Sequence, residues 1–195
     1  HNVSSAASDV YKRQEYGMEN VLIMIDIGPD LGSINDNLDD YHPWIDCANE
    51  MKCHSVRVNL RGSDDNLSLW TENSIENLNK LCEYAKPLNV NILVENHGGF
   101  SSNADYLVNV IKKINYNNIG TLPDFGNFCI KQDPKKSTEM RKLFTQGGEE
   151  SSGRPPTIYD SCAERFDMYD GIKKLMKYAK GVSAKTHGFD SDGND

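Results

Sequence analysis

No apolar run in the 195-residue chain approaches the length of a membrane span, and 37 % apolar residues describe a soluble chain with one sizeable core. Basic residues are also scarce. Twenty-one Lys and Arg stand against 29 Asp and Glu, a net charge of -8. Sequence-independent binding to nucleic acid or to an anionic membrane needs a basic face, so neither partner is expected and a small molecule is favoured. The five cysteines (Cys47, Cys53, Cys82, Cys129, Cys162) are odd in number and include no C-x-x-C pair. Neither a disulfide framework nor a cysteine zinc site is suggested. Buried thiols of a reduced compartment, and with them a cytoplasmic location, are the expectation. No G-x-G-x-x-G or Walker loop follows any strand, which argues against a doubly wound nucleotide-binding fold.

What is present begins after residue 14. HNVSSAASDVYKRQ starts without Met and has neither the apolar core of a signal peptide nor a helical stripe. VSSAASDVYKRQ resembles translated sequencing-adaptor read-through, so residues 1–14 are set apart as non-native and the native N-terminus is expected to be missing. From residue 15 the chain reads as one domain. Parallel strands are expected at about 21 to 26, 54 to 60, 90 to 96, 118 to 124 and 181 to 187, with amphipathic helices at 39–51, 74–86, 103–114 and 167–179. In the first helix Trp44, Ile45, Ala48 and Met51 form the apolar stripe; in the second Ser74 is the N-cap. The strand starts recur at roughly thirty residues, the period of βαβ units. That rhythm breaks at about 130–160, a polar insertion with a helix at 137–144 and a Gly/Ser/Pro-rich tract, read as a mobile surface segment or a lid over the strand ends.

Val90 to Phe100, VNILVENHGGF, organises the rest. A short apolar run that ends in Glu95, Asn96 and His97 and then a glycine pair reads as a buried parallel strand opening into a loop, the place where α/β proteins put their chemistry. In HSVRVNLR, Ser55, Arg57 and Asn59 share the face opposite Val56, Val58 and Leu60, so one face of that strand looks into a polar interior. Asp124 ends the next strand at the same end as Glu95. An oxygen pair there could hold a hard divalent cation with a His as a third ligand. The plainer alternative is an internal ion pair between Arg57 and Glu95. His42, Trp44 and His54 lie away from the strand C-terminal ends and read as packing and capping groups, and Asp26 as a turn cap.

LGSIND, CHSVRVNL, VENHGG with the following SSN, GTLPDFGNF and KGVSAKTH resemble, in that order, the xylose-isomerase-like TIM barrels of the sugar phosphate isomerase/epimerase group, over about residues 19 to 194. The resemblance implies a partial (β/α)8 barrel lacking strands at both ends, since a closed barrel has eight strands and about 250 residues. It implies a divalent-metal-dependent isomerase or epimerase that moves a proton α to a carbonyl of a carbohydrate through an enediolate, with Mn2+, Mg2+, Co2+ or Zn2+ as cofactor. A keto-sugar or inosose dehydratase and a non-catalytic carbohydrate-binding relative are the alternatives. The endonuclease branch of the fold needs more His ligands and a basic groove. Carried over by position, Glu95 and His97 are catalytic, Glu95, Asp124 and His187 hold the metal, and Arg57, Asn59, Asn127 and Lys185 meet substrate hydroxyls or a phosphate. Two departures stand out: Ser183 occupies the usual position of the metal-ligand His, and the second catalytic Glu, expected in a segment like IEYEG, is absent. The chain as written is therefore expected to be inactive.

Overall fold

The computed structural model describes residues 15–17, 19–35, 37–63, 65–145 and 161–185, excluding the side chains of 140–145. Four strands, β1 (Leu22–Met24), β2 (Ser55–Asn59), β3 (Asn91–Glu95) and β4 (Ile119–Leu122), form one parallel sheet in the order β1-β2-β3-β4. Helices α1 (His42–Glu50), α2 (Leu67–Ala85) and α3 (Ala104–Ile111) connect them. This is a parallel α/β sheet of partial TIM-barrel type, with β1 at an open edge among the described residues.

The alternating pattern of β2 explains the layering. Val56 and Val58 join Ile92 and Val94 of β3 in the core packed against the helices, where α1 contributes Ile45 and Ala48, α2 Trp70, Leu78 and Leu81, and α3 Leu107 and Val110. All five β2 residues are nevertheless buried, because Ser55, Arg57 and Asn59 point into the barrel side. The register there sets Arg57 beside Leu93 and Asn59 beside Glu95, with Glu95 in turn beside Leu122.

Several expectations need correction. α2 starts seven residues earlier than the periodicity suggests: Asn66 caps it by accepting from the Leu69 N–H at 3.0 Å, and Ser74 is a buried mid-helix residue. The first stretch is hidden because its buried face carries Asn73 and Ser74 beside Trp70, whose Nε1–H is anchored to the Leu60 carbonyl. In α1 the buried positions are Ile45 and Ala48, with Tyr41 just before it, whereas Trp44 is 37 % exposed. The fifth strand is reduced to two parallel bridges, Thr121 to Ala179 and Asp124 to Ser183. Pro123 has no N–H to give to the ladder, so the pairing breaks beside it and only its carbonyl serves, accepting from Ser183. The segment does lie beside β4 in the parallel sense.

The insertion opens and closes as an antiparallel pair, β5 (Cys129–Gln132) and β6 (Cys162–Arg165), with α4 (Pro134–Thr145) between them and α5 (Met168–Leu175) after. The register sets Cys129 opposite Arg165 and Cys162 opposite Gln132, with irregularities between, and the two cysteines, 5.7 Å apart at Cα, form a disulfide. This overturns the expectation of thiols only; residues 33 apart gave no signal until the hairpin placed them together. Cys47, Cys53 and Cys82 remain free. The count of cysteines therefore no longer argues for a reducing compartment. Among the described residues no helix is long and apolar enough to cross a membrane.

Candidate functional site

The C-terminal ends of β2, β3 and β4 converge on a layer of polar side chains. Arg57 Nε lies 2.9 Å from Glu95 Oε2, with both side chains almost fully buried. The other arm of Arg57 reaches the Asp26 carboxylate at 2.7 Å and the Ile25 carbonyl at 3.1 Å. Asp26 is thus a partner of Arg57, and of Asn59 at 3.3 Å, in place of the expected turn cap. The hydrogen bond from Arg57 is the main reason its carboxyl titrates below the usual range.

Asp124 is wholly buried, and both its oxygens are occupied. Oδ1 accepts from the Gly126 N–H at 2.8 Å; Oδ2 accepts from the Ser183 hydroxyl at 3.1 Å and lies 2.7 Å from Lys185 Nζ. Burial pushes the Asp124 carboxyl up, but Lys185, Glu95 and the Gly126 N–H together outweigh it and hold it low. Glu95 and Asp124 thus end neighbouring strands, each beside its own side-chain cation.

A residue missed from the sequence joins these strand ends. Asn96, fully buried, accepts from the Asp124 N–H at 2.7 Å and donates to the Asp124 and Asn127 carbonyls at 2.9 and 3.0 Å. This two-way clamp ties the end of β3 to the loop after β4, and a polar amide immediately after a buried strand was the available signal. Beyond it the chain must turn sharply, and Gly98 and Gly99 do so at φ +83° and +58°, values that L side chains rarely adopt. Ser101 and Ser102 accept from the His97 and Gly98 N–H groups and fix the turn.

His97 stands above this layer, 40 % exposed, its Nδ1 3.5 Å from Glu95 Oε2 and 3.3 Å from the Asn127 amide. It lines two clefts. One, of about 370 Å³, is bounded by His97, Asn127, Cys129, Gln132 and Lys185; the other, of about 650 Å³, by His97, Phe100, Arg61 and Lys131 among others. Neither Glu95 nor Asp124 lines them. Of the remaining sequence candidates, His42 stacks on Tyr84 as a packing group, His54 is exposed with its Nδ1 2.6 Å from the Ser55 hydroxyl, and His187 lies outside the described residues.

Whether these residues fit a divalent cation is answered by the donor set. Glu95 and Asp124 are suitable oxygen donors, yet each already faces a side-chain cation. Among the described residues no group of three or more His, Cys, Asp or Glu side chains is arranged to hold a metal ion. The Ser183 hydroxyl donates to Asp124. The described residues do not make a metal site.

The parallel sheet, the polar layer at its C-terminal end and the clefts above make a partial barrel of the α/β class. The xylose isomerase-like TIM barrel model matches residues 11–179, and the chain belongs to that family. A search of curated proteins finds no match. Among solved structures, a D-tagatose 3-epimerase-like protein superposes with a TM-score of 0.61 at 17 % identity, over 100 % of this chain and 64 % of its own. A D-psicose 3-epimerase solved in the presence of D-fructose gives 0.58 at 13 % identity, over 93 % of this chain and 68 % of its own. A xylose isomerase-like TIM barrel protein from Mycobacterium smegmatis, in complex with magnesium, gives 0.55 at 18 % identity, over 99 % and 74 %. At these identities the likeness is one of fold, and the chain spans less than two thirds of the first of these relatives.

Proposed function

We infer that this chain carries the core of an isomerase or epimerase that moves a proton α to the carbonyl of a small sugar or sugar phosphate. One observation carries this reading. Five buried side-chain atoms among the described residues lack a hydrogen-bond partner, and three of them, Arg57 Nε, Asn59 Oδ1 and Glu95 Oε2, sit together at the strand ends. The 2.9 Å contact between Arg57 and Glu95 is close enough for an ion pair but misaligned for a hydrogen bond. Unsatisfied buried donors and acceptors are costly, and a cluster of them beneath the clefts, reached through His97, suits a ligand that brings both kinds of group. A polyol with a carbonyl does so. Relatives named for ketose epimerisation support the same substrate class.

In this reading Glu95 is the base, and His97, between Glu95 and the clefts, passes the proton to and from substrate. Arg57, Asn59, Asn127 and Lys185 orient hydroxyls or a phosphate. The dehydratase alternative shares the first proton transfer and differs in expelling water afterwards. The test is deuterium uptake from D2O at the carbon next to the carbonyl, followed by NMR with D-fructose, D-tagatose and their phosphates, on the gene product that contains this chain. Uptake is expected, with a loss of about 10²–10⁴-fold in Glu95→Gln. Saturable sugar binding with no uptake on any ketose would turn the reading to a non-catalytic carbohydrate-binding protein.

A further inference from the structure

The two carboxylates assigned to a cation by resemblance are beneath the cleft; the positive charge that reaches the cleft is Lys185. We propose that the Lys185 ammonium replaces the divalent cation, so that the reaction of this protein is independent of metal. The proposal rests on the proton-transfer reading above. Lys185 Nζ is anchored 2.7 Å from the fully buried Asp124 Oδ2, yet the side chain is 44 % exposed and lines the 370 Å³ cleft with His97 and Asn127. An ammonium has three N–H donors. One is turned to Asp124, which leaves others for a substrate carbonyl oxygen.

Charge counting points the same way. Arg57 and Lys185 already balance Glu95 and Asp124. A divalent ion would have to displace Lys185 from Asp124 and lie beside two fixed cations. The Ser183 hydroxyl donates to Asp124 and so supports the carboxylate as an anchor for Lys185. The step balances without a co-reactant: the C–H bond α to the carbonyl breaks, its proton passes through His97 to Glu95, the electron pair forms the enediolate, and Lys185 stabilises the oxygen that gains charge. The proton on the cleft-lining His97 exchanges with solvent; its delivery to the opposite face of the same carbon gives the epimer, and its delivery to the neighbouring carbon, with the hydroxyl proton moving to the other enediolate oxygen, gives the isomer.

The test begins with the unmodified gene product. Titration with Mn2+, followed by electron paramagnetic resonance, is expected to show no stoichiometric binding. One tightly held Mn2+ per chain, abolished by His187→Ala, would overturn the proposal and restore the metal site implied by resemblance; tight binding that survives His187→Ala would overturn it equally. In the D2O assay, uptake is expected to be unchanged by EDTA and to fall by about 10²–10³-fold in Lys185→Met, the scale of removing a preorganised donor to a developing oxyanion. Uptake abolished by EDTA and restored by Mn2+ would also overturn it. Absence of uptake on every ketose strikes the proton-transfer reading, while the Mn2+ titration still decides whether Lys185 holds the cation's place.

Discussion

Replacing Arg57 by Met tests how the buried layer is held together. Arg57 has three partners, and they are unequal. The Asp26 carboxylate is 62 % exposed, so that pair is worth at most about 1 kcal/mol. The contact with Glu95 is different, because both side chains are 3 % exposed or less. Removing one member of a buried pair leaves a charge with nothing to offset it and costs about 3–5 kcal/mol. Against a total stability of about 5–15 kcal/mol for a domain, Arg57→Met is expected to bring the protein close to unfolding. Glu95→Gln should cost less, about 1–3 kcal/mol, because Arg57 keeps Asp26 and the Ile25 carbonyl. The double variant should then be more stable than Arg57→Met alone, with a coupling energy of about 2 kcal/mol. Urea unfolding followed by circular dichroism, in low and high salt, measures all four species, and the coupling should survive salt because the pair is shielded from it. If Arg57→Met lies within about 1 kcal/mol of the unmodified protein, or the two changes simply add, the pair is not the buried ion pair described here.

Other outcomes can be measured alongside. Gly171→Ala should destabilise by about 1–3 kcal/mol in the same urea assay, because a Cβ there would run into the ring of the buried Phe128. Reducing the Cys129–Cys162 bridge opens a loop of 33 residues and should cost about 3–4 kcal/mol by chain entropy, read as a lower melting temperature with a phosphine reductant. Asp124 titrates below its unfolded value of 3.8, so its contribution is complete above that pH and lost as pH falls further; Asp124→Asn should flatten the acid limb of stability against pH. Burial pushes the Cys82 thiol up to about 12 from 9.0. The unfolded chain therefore releases that proton first, stability should decline as pH rises from about 9 toward 12, and Cys82→Ala should remove part of the decline.

Most of the sheet was legible because strand period and position carried it. Arg57 and Asn59 opposite Val56 and Val58 announced a polar interior, and the carboxylates ending two successive strands announced the polar layer at that end. What failed did so for local physical reasons. Pro123 interrupts a ladder that its neighbours would extend, and an Asn cap eight residues upstream of Ser74 lengthens a helix through a stretch whose buried face carries Asn73 and Ser74. The disulfide depended on pairing within an insertion whose fold has no periodic signal.

The site was legible in membership more than in arrangement. Residue types and strand ends place Glu95, Asp124, His97, Asn127 and Lys185 in one neighbourhood, but depth is decided by side-chain length and anchoring. Glu95 and Asp124 are short enough to be covered by the turn that Asn96 locks in place, whereas Lys185 is long enough to reach Asp124 from above and still border the cleft. A carboxylate beneath and a cation above is the reverse of a site in which carboxylates present a metal to substrate. The order of these layers follows from the single step Ser183 to Lys185: the Ser183 hydroxyl supports Asp124, and the chain then turns, the Lys185 N–H donating to the Ser183 carbonyl at 2.9 Å, so that the Lys185 ammonium reaches the same carboxylate oxygen.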